Sequence, residues 1–162
     1  MYSGINMTFD INQTAPDFTL EDLTGQPVSL SDYRYHKNVV LVLNRGFFWP
    51  YCRRHMAQLR QDYDKFIDRE SVILVFGPED KAAFQEYWSR HNLPFTGLPD
   101  PEHQVLNLYS QQVKLLRAGR MPAMMVIDKS GHIRYQHYAD SMRDIPSNQS
   151  ILNILDNLNQ EE

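Results

Sequence analysis

Uninterrupted apolar runs set the frame of this chain: VVLVL at 39–43, VILVF at 72–76 and MMVI at 124–127. Such runs lack the alternation of a half-wetted strand, so they predict strands buried on both faces. A different period follows the first run. In CRRHMAQLRQDYDKFIDR, Met56, Leu59, Tyr63 and Phe66 recur at spacings of three and four, which predicts one long helix with a single apolar face. After the turn Gly77-Pro78-Glu79-Asp80, Phe84, Tyr87 and Trp88 form the inner face of a second helix, and a short third helix is expected over 102–109. Between them, Leu93-Pro94-Phe95 and Leu98-Pro99-Asp100-Pro101 read as a proline-rich connection.

Toward the N-terminus, Phe18 and Leu20 alternate with Val28 and Leu30 around Leu23-Thr24-Gly25-Gln26, a hairpin pattern, and Ser31-Asp32-Tyr33 begins a brief helical turn. Late in the chain, Asp128-Lys129-Ser130-Gly131 turns the third run back into a strand over 132–138. Ile151, Leu152, Ile154, Leu155 and Leu158 then give a closing amphipathic helix. The resulting order is hairpin, β, α, β, α, α, β, β, α. It predicts an α/β protein with a mixed central sheet covered on both faces. Residues 1–14 are polar and expected to be a flexible arm, and 15–162 one domain.

Composition narrows the function classes. With 162 residues and 42% hydrophobic content, one full core is affordable. The net charge of −4 and the lack of a basic block argue against nucleic acid as a partner. No run approaches the roughly 18 apolar residues of a membrane helix. The opening MYSGINMTFDINQT lacks a charged start followed by an apolar stretch, so a cytoplasmic location is expected. The six histidines have no tight metal-ligand spacing, and no glycine-rich loop suits a phosphate, so neither metal nor cofactor is expected. Asp62, Asp64 and Asp68 read as a solvated helix face. Cys52 is the single cysteine, so any covalent redox cycle must borrow its second thiol from outside the chain.

Four segments together resemble the peroxiredoxin-like (alkyl hydroperoxide reductase/thiol-specific antioxidant) family of the thioredoxin-like superfamily. They are APDFTLEDLTGQPVSLSDYR, a central strand leading into WPYC at a helix start, VFGPEDKAAFQEYWSRHNLPFTGLPDPEHQVLNLY, and MPAMMVIDKSGHIRY. The resemblance spans about residues 15 to 140 and implies a thioredoxin-like fold with an N-terminal β-hairpin. It places Cys52 at the peroxide-reacting position. Relatives carry an Arg-Gly-x-Trp-Cys-Pro-x-Cys type of motif, against which this chain reads Arg45-Gly46-Phe47-Phe48-Trp49-Pro50-Tyr51-Cys52. Trp49 stands where the family has a first cysteine or a threonine, and Pro122 where peroxiredoxins have an arginine. The resemblance also implies a cis Met121–Pro122 bond beside the cysteine, with the Met121 backbone open to an extended thiol or peptide. Arg45 and Arg120 are the candidates to replace the missing arginine.

The thiolate is the reactive form of cysteine. A helix N-terminus and the cations Arg45, Arg53 and Arg54 would favour it, with His55 the expected same-face neighbour. Candidate site residues are therefore Cys52, Arg45, Trp49 and Pro122. The leading expectation is a one-cysteine peroxidase that reduces peroxide at the expense of an external glutathione- or thioredoxin-like thiol. Two alternatives stand beside it. One is a redox-degenerate binding or assembly module, with Trp49 in an apolar patch for a partner or a second copy in a homodimer. The other is a monothiol protein forming mixed disulfides with a small thiol.

Overall fold

The computed structural model describes residues 9–109, 111, 113–114 and 119–161. Its centre is a five-stranded sheet in the order β5-β4-β3-β8-β9. The strands are β3 (Asn38–Leu43), β4 (Ser71–Gly77), β5 (Thr96–Pro99), β8 (Ala123–Ile127) and β9 (Ile133–Tyr138). β3 pairs in parallel with β4, and β4 with β5, while β8 and β9 run antiparallel. The sheet is thus mixed, and all six residues of β3 are buried, as the uninterrupted run required.

Alternate side chains of each strand enter opposite layers. Leu41, Leu43, Leu74, Phe76 and Met125 face a layer made by the hairpin β1 (Thr19–Glu21) and β2 (Pro27–Ser29) together with α4 (Gln104–Leu108). Val40, Val42, Ile73, Val75 and Val126 face the other layer. That layer holds α1 (Pro50–Gln61), α2 (Tyr63–Ile67), α3 (Lys81–His91) and α5 (Asn148–Gln160). A two-stranded ladder of β6 (Val113–Lys114) and β7 (Gly119–Arg120) completes the elements.

The helix starts obey local chemistry. Pro50 opens α1, where its missing N–H costs nothing. Asp80 caps α3 by accepting from the Ala83 N–H, and Ser147 caps α5 by accepting from the Ser150 N–H. α3 ends on Asn92 in the left-handed conformation, with φ of 49°.

Several details differ from the sequence pattern. The long helix expected after Cys52 breaks at Asp62, whose ψ of 12° leaves the helical range. The Asp62 carboxylate accepts from Asn148 Nδ2 at 2.9 Å, a tertiary contact that no local pattern contains. The proline-rich connection contains β5, an edge strand that tolerates Pro99 at its end. Gly97 in β5 lies so close to α3 that an added Cβ would meet the Trp88 ring at 2.9 Å. Within the expected arm, Asn12 N–H donates to Ile133 O at 2.7 Å and Ile133 N–H to Gln13 O at 2.8 Å. Residues 1–8 of the arm lie outside the described residues, as does the side chain of Arg120. No helix among the described residues is long and apolar enough to cross a membrane.

Asp100 anchors the connection between β5 and α4. It is buried, and its carboxylate accepts from the backbone N–H groups of Gln104, Val105 and Leu106, each at 2.8 Å. Removing it strands those donors in the core. Asp100→Ala is expected to cost about 2–4 kcal/mol, measured by urea unfolding, with Asp100→Asn recovering part of the loss.

Candidate active site

Parallel pairing determines what meets at the C-terminal end of the sheet. Leu43 lies opposite Phe76, so the loop leaving β3 and the loop leaving β4 emerge side by side. The first loop carries Asn44, Arg45, Gly46, Phe47, Phe48 and Trp49, and the second carries Glu79. Phe47 N–H donates to Glu79 Oε2 at 2.6 Å, locking the loops together. Gly46 has φ of 150°, a region that L side chains rarely occupy. A Cβ there would sit 3.4 Å from the same carboxylate oxygen.

Cys52 lies in the first turn of α1 with no exposed surface. Burial pushes its thiol pKa up, opposite to the low-pKa thiolate expected from the sequence. The backbone N–H groups of Arg45 and Gly46 act downward on it, as does the Arg45 charge, while the Glu79 charge adds to the rise. Desolvation is the largest contribution because the sulfur has left water entirely. Burial also raises the pKa of Glu79 itself.

The neighbouring cations divide. The Arg45 guanidinium lies 3.5 Å from the centroid of the Trp49 ring, so these two candidate residues form one stacked unit beside the cysteine. Arg53 and Arg54 are exposed. Arg54 lies over the ring of Tyr51, 5.8 Å from its centroid, and belongs to a different face of α1. His55 is 2% exposed, and burial drives its pKa down to about 4, so it is no cationic neighbour of the thiol.

Pro122 is buried and shares a small cavity with Asn44, His55, His137 and Ile145. The Met121–Pro122 bond is trans, since no cis peptide bond occurs among the described residues. Trans is the lower-energy isomer by about 0.5–1 kcal/mol, and Pro122 leads directly into β8 without a tight turn to close. Met121 is buried, so its backbone is not laid open to an extended ligand.

Glu79 was invisible to motif reading. Its signal is topological: a carboxylate just past a parallel strand lies at the sheet end that carries the cysteine. Aromatic packing supports the same corner. Phe47 stacks on Tyr87 with centroids 4.3 Å apart and an interplanar angle of 12°, and meets Phe84 edge-on at 4.9 Å. Outside this stack lies an open cleft of about 500 Å³ lined by Phe48, Trp49, Arg53, Tyr87 and Arg90. Phe48 is 84% exposed there.

Residues 11–136 match the family model described as AhpC/TSA family. Among curated proteins, the chain is 32% identical over 103 residues to "Peroxiredoxin Bcp" of Bacillus subtilis, covering 64% of this chain and 65% of that one. The chain therefore spans just under two thirds of that relative's length. It is 33% identical over 125 residues to "Thiol-disulfide oxidoreductase ResA" of Geobacillus kaustophilus, covering 76% and 67%. Among solved structures, peroxidoxin BcpB of Mycobacterium tuberculosis superposes with a TM-score of 0.80 at 19% identity, covering 91% of this chain and 97% of that one.

The buried His55 makes stability pH-dependent. Its folded pKa of about 4 lies below the ordinary 6.5, so the unfolded chain binds the proton first as pH falls. The contribution is complete above pH 6.5 and is lost toward pH 4, amounting to about 3 kcal/mol. His55→Gln is expected to lose that part of the slope, read as the difference between variant and wild type in urea unfolding at pH 7 and pH 4.5.

Proposed function

Because the chain belongs to the AhpC/TSA family, we propose that it is a one-cysteine, thiol-dependent peroxidase with Cys52 as the peroxide-reacting residue. The observation that carries this reading is the position of the single cysteine. It sits at the helix start after the central strand, where the N–H groups of Arg45 and Gly46 and the Arg45 charge oppose the effect of burial on its sulfur. Thiol–disulfide exchange between two cysteines of one chain has no second cysteine to use here.

In the proposed cycle the Cys52 thiolate attacks the terminal oxygen of a peroxide. An S–O bond forms, the O–O bond breaks, and the departing alkoxide or hydroxide takes up a proton. Cys52 is oxidised by two electrons to a sulfenic acid and the peroxide is reduced to an alcohol or water. An external thiol then attacks the sulfenic sulfur, water leaves, and a mixed disulfide results. A second external thiol releases the disulfide and restores Cys52. The reductant is a small thiol or a thioredoxin-like protein.

Pro122 has no donor side chain, and among the described residues no side chain donates to the sulfur, so the Arg45 charge and the backbone N–H groups of Arg45 and Gly46 carry the electrostatic part. The Trp49 ring holds the Arg45 guanidinium in place. With no sulfur surface exposed, peroxide enters only when the surrounding loop opens, which slows the reaction in proportion to the open fraction.

Cys52→Ser is expected to reduce peroxide consumption, measured with excess external thiol, to the uncatalysed rate. Equal consumption by wild type and variant would defeat the assignment. Because burial raises the thiol pKa above its ordinary value of 9.0, the wild-type rate constant should still be climbing at pH 9. Stopped-flow peroxide kinetics showing a plateau at neutral pH would contradict this. Glu79→Gln keeps an oxygen for the Phe47 N–H and removes the opposing charge. It should shift the rise to lower pH and increase the rate at pH 8 severalfold.

A further inference from the structure

Tyr51, Arg54, His55 and Gln58 follow the spacing i, i+3, i+4, i+7 and so share one face of α1. Together with Arg143 and Ile145 from the segment between β9 and α5, they line an open groove of about 480 Å³. This face is distinct from the aromatic cleft on the other side of the helix start, which involves Trp49 and Arg53.

The polar side chains of the groove are suited to donating. Arg143 Nε donates to Tyr51 Oη at 2.7 Å, which leaves the tyrosine hydroxyl hydrogen directed elsewhere. Arg54 and Arg143 lie 5.8 and 5.7 Å from the Tyr51 ring centroid, so two guanidinium groups flank one aromatic ring. Among the described residues, neither is ion-paired with a carboxylate. The nearest acidic side chain in sequence, Asp144, is engaged by His137 Nε2 at 2.9 Å and lines the smaller cavity behind the groove. Gln58 adds an amide. His55 supplies a buried imidazole whose Nε2 has no hydrogen-bond partner among the described residues.

A buried polar atom without a partner costs free energy unless something supplies one. Two guanidinium groups without carboxylates, in a chain of net charge −4, add a second cost through mutual repulsion. One kind of occupant relieves the second cost. An oxyanion accepts from the arginine forks and from the Tyr51 hydroxyl, with the buried His55 ring forming part of the groove wall. Ile145 and the Tyr51 ring offer apolar surface beside the charged end.

We propose that the groove between α1 and the segment around Arg143 binds the oxyanion end of a small molecule carrying a phosphoryl or carboxylate group on an apolar body. The site stands independently of the chemistry assigned to Cys52, although Tyr51 adjoins that residue in the chain. Guanidinium forks match both oxyanions, so the two sources are separated by experiment.

Isothermal titration of the full chain with phenyl phosphate and with benzoate tests this directly. Saturable one-site binding is expected for at least one probe, and the tighter of the two identifies the oxyanion. Arg143→Gln and Arg54→Gln should each weaken binding at least tenfold, and Arg90→Gln, in the other cleft, should leave it unchanged. In the wild-type protein, nitrogen NMR should show the His55 Nε2 resonance shifting on saturation. The proposal is overturned if neither probe saturates, if Arg143→Gln and Arg54→Gln bind as the wild type does, or if the His55 signal stays still while binding proceeds.

Discussion

The parallel pairing of β3 with β4 is the constraint on which the rest depends. Both strands are apolar on both faces, so each face needs a covering layer: the β1–β2 hairpin with α4 on one side, and α1, α2, α3 and α5 on the other. β3 takes α1, and β4 takes α3, on the same face. That arrangement brings the exits of both strands to one end of the sheet, with Leu43 beside Phe76. The cysteine loop and the Glu79 loop become neighbours without any sequence signal between them, and the Phe47–Glu79 hydrogen bond fixes their separation.

Burial and charge compete at that corner. The sulfur receives two backbone donors and an arginine charge, yet desolvation and the Glu79 charge prevail. A corner that buries a thiol this deeply shields it from oxidants in solution. The stacked Arg45–Trp49 pair sets a charge and an aromatic surface side by side next to the cysteine.

Much of the fold was legible because burial on both faces leaves an unmistakable run of apolar residues, as in 39–43 and 72–76. Its failures share a cause: contacts distant in sequence decided them. β5 hides among prolines because edge strands need few donors. The helix break at Asp62 depends on Asn148, 86 residues away. Cys52 and Arg45 were legible as neighbours through the family pattern, whereas the direction of the thiol pKa was not, since desolvation depends on everything packed around the sulfur. His55 shows the same limit. Helical spacing placed it on the face of α1 but could not reveal that its imidazole is sealed and neutral.

The Phe47 stack has an optical corollary. The chain has two tryptophans, and both border this corner: Trp49 under the Arg45 guanidinium, and Trp88 edge-on to Phe47 with centroids 5.4 Å apart. Trp88 is also held by its indole N–H, which donates to Phe95 O at 2.7 Å. Fluorescence excited at the red edge, where only tryptophan absorbs, therefore samples this corner of the fold. Trp88 acts as a fixed reference and Trp49 as the movable one, so the protein carries its own local probe of whether the cysteine loop is closed.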